Sequence, residues 1–423
     1  MGKHSRQKAK YVLETAFHAR DLPQPTIKTK ILAYTSSVLV SVLIAGSVTF
    51  YTAVNKIQSS FQTVELTSQY IESSSNTQST RLSTEEISEV LNEINEPTPV
   101  NIGGLAENFN VLIVGSDTRK DQGDGFGDSK SELNDVNILM KVDVVNNNAT
   151  IVSFPRDLLV DVPECSTPDG KTVGAADNVP LNSVLSRGGL PCVAMAIENL
   201  TGLPIVYAGM LTFIGAAEIS TAIGGVPVCV DGPLKDPYSG IDFPEAGTYE
   251  VEGLEALAFL RTRSKVGDGS DLGRINLQQL YLSSMMRTIV EENTLYDINK
   301  LYNLAVVVSR SAVLSSSLSS LDMLVSMART FTNIPLENII FVQFPVGSAA
   351  GEPYNQPGKV APKEPVASQL IEFLKTDTMF VLSKAGGNGT AVVDGYEYDL
   401  EGMNVLNGAN GQSAADVTCS KVR

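Results

Sequence analysis

The chain has 423 residues and carries 47 acidic against 31 basic side chains, a formal net charge of −16. That balance argues against nucleic acid as a partner, because phosphate backbones reward basic surfaces. The only two histidines, His4 and His18, lie near the N-terminus, so the rest of the chain has no Ser-His-Asp or Cys-His chemistry and no imidazole-based zinc site. Carboxylate, arginine, hydroxyl and a hard cation remain for any catalysis there.

In chain order, residues 1–30 form a short basic tail with Lys3, Arg6, Lys8, Lys10, Arg20, Lys28 and Lys30 against Glu14 and Asp21. Ile31 to Asn55 then runs without a charge, long enough to cross a bilayer as a helix of about 20 residues. A cleaved signal peptide is the rival reading. The 30-residue flank and the length of the apolar stretch favour an uncleaved anchor. The basic flank places the N-terminus in the cytoplasm and the remainder outside the cell, a single-pass protein of the cell membrane. Beyond Lys56, acidic residues outnumber basic ones by about two to one.

Residues 56–107 read as an extracytoplasmic stalk rich in Ser, Thr, Gln and Glu, with one short amphipathic helix from Thr84 to Ile94. Phe109 to Val114 is a buried strand, and Asn137 to Val145 with Ala149 to Phe154 make a hairpin around an Asn-rich turn. Helical patterns at Cys192–Leu200, Phe213–Ile223, Leu254–Phe259, Asp271–Ile289, Leu321–Phe331 and Pro365–Lys375 alternate with strands near Ile205, at Val226–Val230 and at Ile339–Phe344. Such alternation predicts an α/β domain with helices over a central sheet, spanning residues 108–380. Residues 381–423 are rich in Gly, Asn, Asp and Ser and read as a flexible tail unless a disulfide fixes them. Cys165, Cys192, Cys229 and Cys419 lie outside the predicted span, an even number in an oxidising setting. Three pairings are open, buried free thiols are the alternative, and Cys165 with Cys192 is the favoured bridge.

Two constellations carry chemistry. Arg261 and Arg263, if extended, point to one side. Asp271, an N-cap candidate, then shares one helical stripe with Arg274 and Gln278, while Ile275, Leu282, Met286 and Ile289 form the opposing apolar face. Clustered guanidiniums in an acidic domain suit a phosphate ligand, although surface ion pairs explain them equally well. The second constellation lies at strand ends: Asp117 and Arg119, then Asp135, then Arg156 and Asp157. Carboxylates there suit a magnesium ion, and capped turns are the bland alternative. A calcium loop over Asp121–Glu132 is rejected, because Gly123 and Phe126 stand where a ligand and a glycine are needed.

Taken together, Leu112-Ile113-Val114-Gly115-Ser116-Asp117-Thr118-Arg119, Val152-Ser153-Phe154-Pro155-Arg156-Asp157, Gly224-Gly225-Val226, Ala256 to Arg263 and Asp271-Leu272-Gly273-Arg274 with Gln278-Gln279 resemble the LytR-CpsA-Psr family. The resemblance covers roughly residues 108–292 and implies a three-layer α/β/α domain around a central mixed sheet, preceded by one transmembrane helix. It implies a phosphotransferase that moves a glycopolymer from a polyprenyl pyrophosphate carrier to peptidoglycan, with an associated pyrophosphatase activity. Asp117 and Asp135 match the family's magnesium-associated aspartates, with Mg2+ or Mn2+ as the cation. Arg156, Arg261, Arg263 and Arg274 match its pyrophosphate clamp, Asp271 and Gln278 the polar residues around it, and Arg119 and Asn182 further substrate contacts. Asp157 or Asp271 is the candidate general base.

The chain also departs from the family pattern. Many members carry Arg-Ser-Asp where Leu133-Asn134-Asp135 stands, Lys-Ile-Asn at Leu181-Asn182 and arginine at Leu277, which implies a less basic pyrophosphate site. The apolar segments Leu304–Val308 and Leu321–Met327 are expected to help enclose the polyprenyl chain, with ordinary core packing as the alternative. The rival function is a receptor or regulator that binds lipid-linked polymer without turnover.

Overall fold

The computed structural model describes residues 51–68, 105–117, 132–292, 294–387, 389–395 and 401–423. The N-terminal tail, the expected anchor apart from residues 51–55, the helix expected at Thr84–Ile94 and Arg119 lie outside them. Among the described residues no helix is long and apolar enough to cross a membrane. Ile57–Arg423 forms one compact unit.

The elements that build it are, in order, β1 (Gln62–Val64), β2 (Phe109–Ser116), β3 (Asn134–Asp143), β4 (Asn148–Phe154), α1 (Val184–Thr201), β5 (Tyr207–Thr212), α2 (Phe213–Ile223) and β6 (Val226–Val230). There follow β7 (Leu234–Asp236), β8 (Ile241–Phe243), β9 (Gly247–Val251), α3 (Gly253–Arg261), α4 (Asp271–Glu291), α5 (Ile298–Ser311), β10 (Ala312–Ser315) and α6 (Leu321–Thr332). The chain ends through β11 (Ile339–Gln343), α7 (Val366–Lys375), β12 (Thr390–Asp394), β13 (Gly411–Ser413) and β14 (Val417–Ser420).

The main sheet has eight strands in the order β1-β10-β5-β2-β3-β4-β11-β13. It is mixed: β2 runs parallel to β5 and antiparallel to β3, and β4 runs parallel to β11. Along β2 successive side chains face opposite ways. Leu112 and Val114, with no exposed surface, join Val193 and Ile197 of α1 and Leu370 of α7 in one core. Val111 joins Met286 of α4 and Met327 and Phe331 of α6 in the other. Helices therefore cover both faces, and each buried Leu or Val stabilises by about 1.5–3 kcal/mol.

The hairpin β3–β4 closes over residues 144–147, where Asn147 adopts a φ of 53°, a conformation asparagine tolerates better than most residues. In α1, Gly188 and Gly189 depart from helical geometry, which is why the sequence pattern shows a helix only from Cys192. The helix α2 opens on Thr212, whose side chain accepts a hydrogen bond from the Gly215 amide, and ends on left-handed Gly224.

Three expectations need correction. The segment expected as stalk contributes β1, which pairs with β10 at the sheet edge. Residues 401–423 are not a loose tail: β13 pairs with β11 in the main sheet, and β14 pairs with β6 and β12 in a second, four-stranded sheet. Cys419 is bonded to Cys229, across 190 residues, so the condition that would fix the tail is met. Cys165 is bonded to Cys192 as favoured from the sequence, and no free cysteine remains. Thirdly, α4 is not amphipathic. Arg274, Ile275, Asn276, Leu277, Gln278 and Gln279 are all buried, because α4 packs against β11 and β13 of the main sheet and also against β6, β12 and β14 of the second sheet. Its cap is Ser270, which accepts from the Gly273 amide, and Asp271 is the first helical residue.

Candidate functional site

Where the ends of β2 and β3 meet α2, α3 and α4, they surround a cavity of about 590 Å³. Its walls are mainly apolar, built by residues such as Ile113, Ile138, Leu211, Ile219, Leu260 and Met285. Polar side chains gather along the same wall: Asp117, Asp135, Arg156, Arg261, Arg263, Arg274 and Gln278. The strands deliver the two aspartates and α4 delivers Arg274 and Gln278, one turn apart on a shared stripe.

The arginines are held differently. Arg156 donates from Nη1 to Asp135 Oδ1 at 3.0 Å, and its Nε lies 3.2 Å from Asp271 Oδ1. Arg274 places Nη2 2.9 Å from Asp271 Oδ1 and donates to the Asp135 carbonyl at 3.2 Å. Arg263 reaches Asp271 only at 3.8 Å and is nearly half exposed. Arg261 forms no ion pair among the described residues and sits over the Phe213 ring, 5.5 Å from its centroid. Arg261 closes α3 rather than lying in an extended segment, so the helix end with its extended cap residue Thr262, not strand alternation, brings it and Arg263 to one cavity.

Asp271 is the hub of this network, yet it lies behind the arginines and not on the cavity wall. Burial pushes its carboxyl above the ordinary value of 3.8, against the pull of Arg274 and Arg156. Burial lowers Arg274, with Asp271 and Asp135 opposing. For Arg156 burial is again the largest influence and acts downward, but Asp135, Asp271 and Asp157 together hold the guanidinium above its ordinary value. A raised carboxyl keeps its proton to higher pH, and a neutral Asp271 leaves three guanidiniums without their shared counter-charge. Those guanidiniums are then freed for an anionic ligand, so the Asp271 contribution to pyrophosphate affinity is expected to rise as pH drops through a midpoint above 3.8. An Asp271→Asn variant should lack that limb, and titrations of both proteins across pH check it.

Other residues predicted from sequence stand apart. Asp157 pairs with Lys359 at 2.6 Å and lies off the cavity wall. Asn182 donates its backbone amide to the Arg156 carbonyl at 2.9 Å and also lies off the wall. Neither candidate base, Asp157 or Asp271, lines the cavity. Leu277 is fully buried in a third core with Val228 and Phe259, away from the cavity side of α4. Leu304–Val308 and Leu321–Met327 do not line the cavity; Leu324 and Met327 pack in the second core.

Sequence reasoning missed Lys359, Phe213 and Asp236. Asp236 is buried, lines the cavity and accepts from the amides of Tyr238 at 3.0 Å and Arg263 at 3.5 Å. In sequence it reads as an ordinary turn aspartate before proline. Lys359 meets Asp157 across 202 residues, a separation that leaves no local signal.

For a cation, the donors on the wall are hard carboxylates. Asp117 uses Oδ1 to accept from the Leu133 amide at 2.8 Å. Asp135 is shared between Arg156 and Arg274. No group of three or more His, Cys, Asp or Glu able to hold a metal occurs among the described residues. Two carboxylates suit a magnesium-like ion that keeps waters and binds phosphate oxygens, and would not suit zinc.

Fold and site together define an α/β protein with an arginine-rimmed apolar cavity, suited to a ligand with an apolar tail and an anionic head. The chain belongs to the LytR_cpsA_psr family, whose profile matches residues 65–361. It is 28% identical over 267 residues to the cell wall biosynthesis protein LcpA of Corynebacterium glutamicum, covering 57% of this chain and 50% of that one. It is 27% identical over 188 residues to the polyisoprenyl-teichoic acid–peptidoglycan teichoic acid transferase TagU of Enterococcus faecalis, covering 44% of this chain and 56% of that one. The chain thus spans about half the length of these curated relatives. Protein gbs0355 of Streptococcus agalactiae shares the fold, with a TM-score of 0.51 and 22% identity over 64% of this chain and 88% of that one.

Proposed function

We propose that this chain is a membrane-anchored phosphotransferase that moves a glycopolymer from a polyprenyl pyrophosphate carrier to peptidoglycan, with pyrophosphate cleavage as a related reaction. The observation that carries the reading is the cavity itself, apolar over most of its wall and rimmed by Arg156, Arg261, Arg263 and Arg274. Family membership and the TagU relative's name support the substrate class. The uncharged run Ile31–Asn55 supports the anchor, and the two disulfides support an oxidising, extracytoplasmic setting.

In this reading the prenyl chain lies against Ile138, Leu211 and Ile219, and the pyrophosphate meets the arginines. Arg261 and Arg263 have donors to spare, whereas Arg156 and Arg274 are held in place by Asp135 and Asp271. A sugar hydroxyl of peptidoglycan attacks the sugar-side phosphorus. A new O–P bond forms, the bond to the lipid phosphate breaks, and the hydroxyl proton passes to the departing phosphate. Charge on the phosphoryl oxygens and the departing phosphate is stabilised by guanidiniums already in place. Asp117 and Asp135 would hold Mg2+ or Mn2+, which when bound would neutralise further phosphate charge. These two lie on the cavity wall with Asp236, whereas Asp157 and Asp271 do not.

The test uses the full chain in detergent with a polyprenyl pyrophosphate. Cleavage or transfer with added Mg2+, lost in excess chelator, is the expected result. Undiminished turnover in chelator would remove the cation, and tight binding without any turnover would favour a receptor.

A further inference from the structure

The loop 264–270, which connects Arg263 to α4, does not stand by itself. Its Gly267 amide donates to the Lys421 carbonyl at 2.9 Å, and the Arg423 amide donates to the Lys265 carbonyl at 2.9 Å. Val266 and Val422 form an antiparallel bridge, and Val266 is fully buried. Arg423 also donates from Nη1 to the Asp268 carbonyl at 3.0 Å. The segment 421–423 is therefore laid along the loop through an isolated bridge, and is fixed in turn by the Val422 amide on Asp231 at 2.8 Å and by the Cys229–Cys419 bond.

A second contact reaches α4 directly. A Cβ placed on Gly389 would lie 2.7 Å from the Gly273 carbonyl oxygen, and one on Gly387 would lie 2.6 Å from Asn276 Oδ1. Only glycine lets the backbone approach the first turn of α4 so closely. The Lys421 amide donates to the Gly389 carbonyl at 2.9 Å, joining the two contacts. Between them they bracket Arg263, Asp271 and Arg274.

We infer that Gly387, Gly389 and residues 421–423 are positioning residues for the arginine site, fixing where Arg263, Asp271 and Arg274 stand without touching the ligand. The inference rests on the pyrophosphate-binding reading above. Misplacing a binding group by about 1 Å can cost on the order of a hundredfold, so small displacements of the first turn of α4 are enough to matter.

The experiment is calorimetric titration of the full chain in detergent with inorganic pyrophosphate and Mg2+, for the unaltered protein, Gly389→Ala and Gly351→Ala. Gly351 has open space around it, so its variant is the control and should bind normally. Gly389→Ala is expected to weaken the dissociation constant at least about tenfold with the number of sites preserved. A merely structural role would do the reverse, lowering the fraction of competent protein at an unchanged dissociation constant, and that result overturns the inference. Should Gly389→Ala fail to fold, a chain stopped after Ser420, which keeps both disulfides, is read in the same way. If the unaltered chain binds no pyrophosphate, the transfer reading fails. Amide exchange at Gly267 then decides positioning independently: protection that survives Gly389→Ala overturns it, and protection lost in that variant supports it.

Discussion

Replacing Arg261 or Arg263 with lysine is expected to lower turnover ten- to a hundredfold while leaving the folding transition in place. Both line the cavity, Arg261 has no ion pair among the described residues, and Arg263 reaches Asp271 only at 3.8 Å. Lysine keeps the charge but lacks the planar pair of donors that fits phosphate oxygens. A charge-assisted hydrogen bond is worth roughly 1.5–3 kcal/mol, and about 1.4 kcal/mol is a factor of ten. Stability should move by less than about 1 kcal/mol, because neither residue anchors a buried pair. Steady-state rates with a polyprenyl pyrophosphate, measured beside thermal melts of each variant, provide the check. Near-normal turnover in both variants would sink the clamp.

Asp271→Ala should have the largest effect on stability, a loss of about 3–5 kcal/mol. The carboxylate serves Arg156, Arg263 and Arg274 at once, and the side chains of Asp271 and Arg274 are only 16% and 9% exposed. Removing it leaves guanidiniums in a poorly solvated place without their main partner, and an uncompensated buried charge costs more than the pair contributed. Urea unfolding of the full chain would measure the loss. A change below about 1 kcal/mol would mean that water already screens the network. Asp271→Asn keeps the shape, so comparing the two separates the missing charge from the missing volume.

How much of this was legible in the sequence depends on the range of the interaction. The buried strand at Phe109–Val114, the hairpin around Asn146–Asn148 and the helix Phe213–Ile223 could be read locally, because alternation, turn chemistry and capping act within a few residues. The shared stripe of Arg274 and Gln278 was legible for the same reason: both line one cavity. The conformation of Arg261 was not. Arg261-Thr262-Arg263 reads as extended, whereas packing of Ala256, Leu257 and Phe259 carries α3 through Arg261.

Local sequence was enough for the family, the alternating α/β order, the basic N-terminal flank before an uncharged run and the supply of arginines and aspartates in a region with no histidine beyond His18. Composition and periodicity are properties of neighbours in the chain, so one strand of text suffices for them. Packing in three dimensions was needed to show that Asp271 stands behind the arginines, that Lys359 occupies Asp157, and that residues 401–423 pack as strands around α4. Each of these joins residues more than a hundred positions apart or depends on which face of a buried helix is already taken. A Gly- and Asn-rich segment carries little apolar pattern of its own. Its order comes from backbone pairing with β6 and β11 and from Cys229, partners that the local sequence does not name.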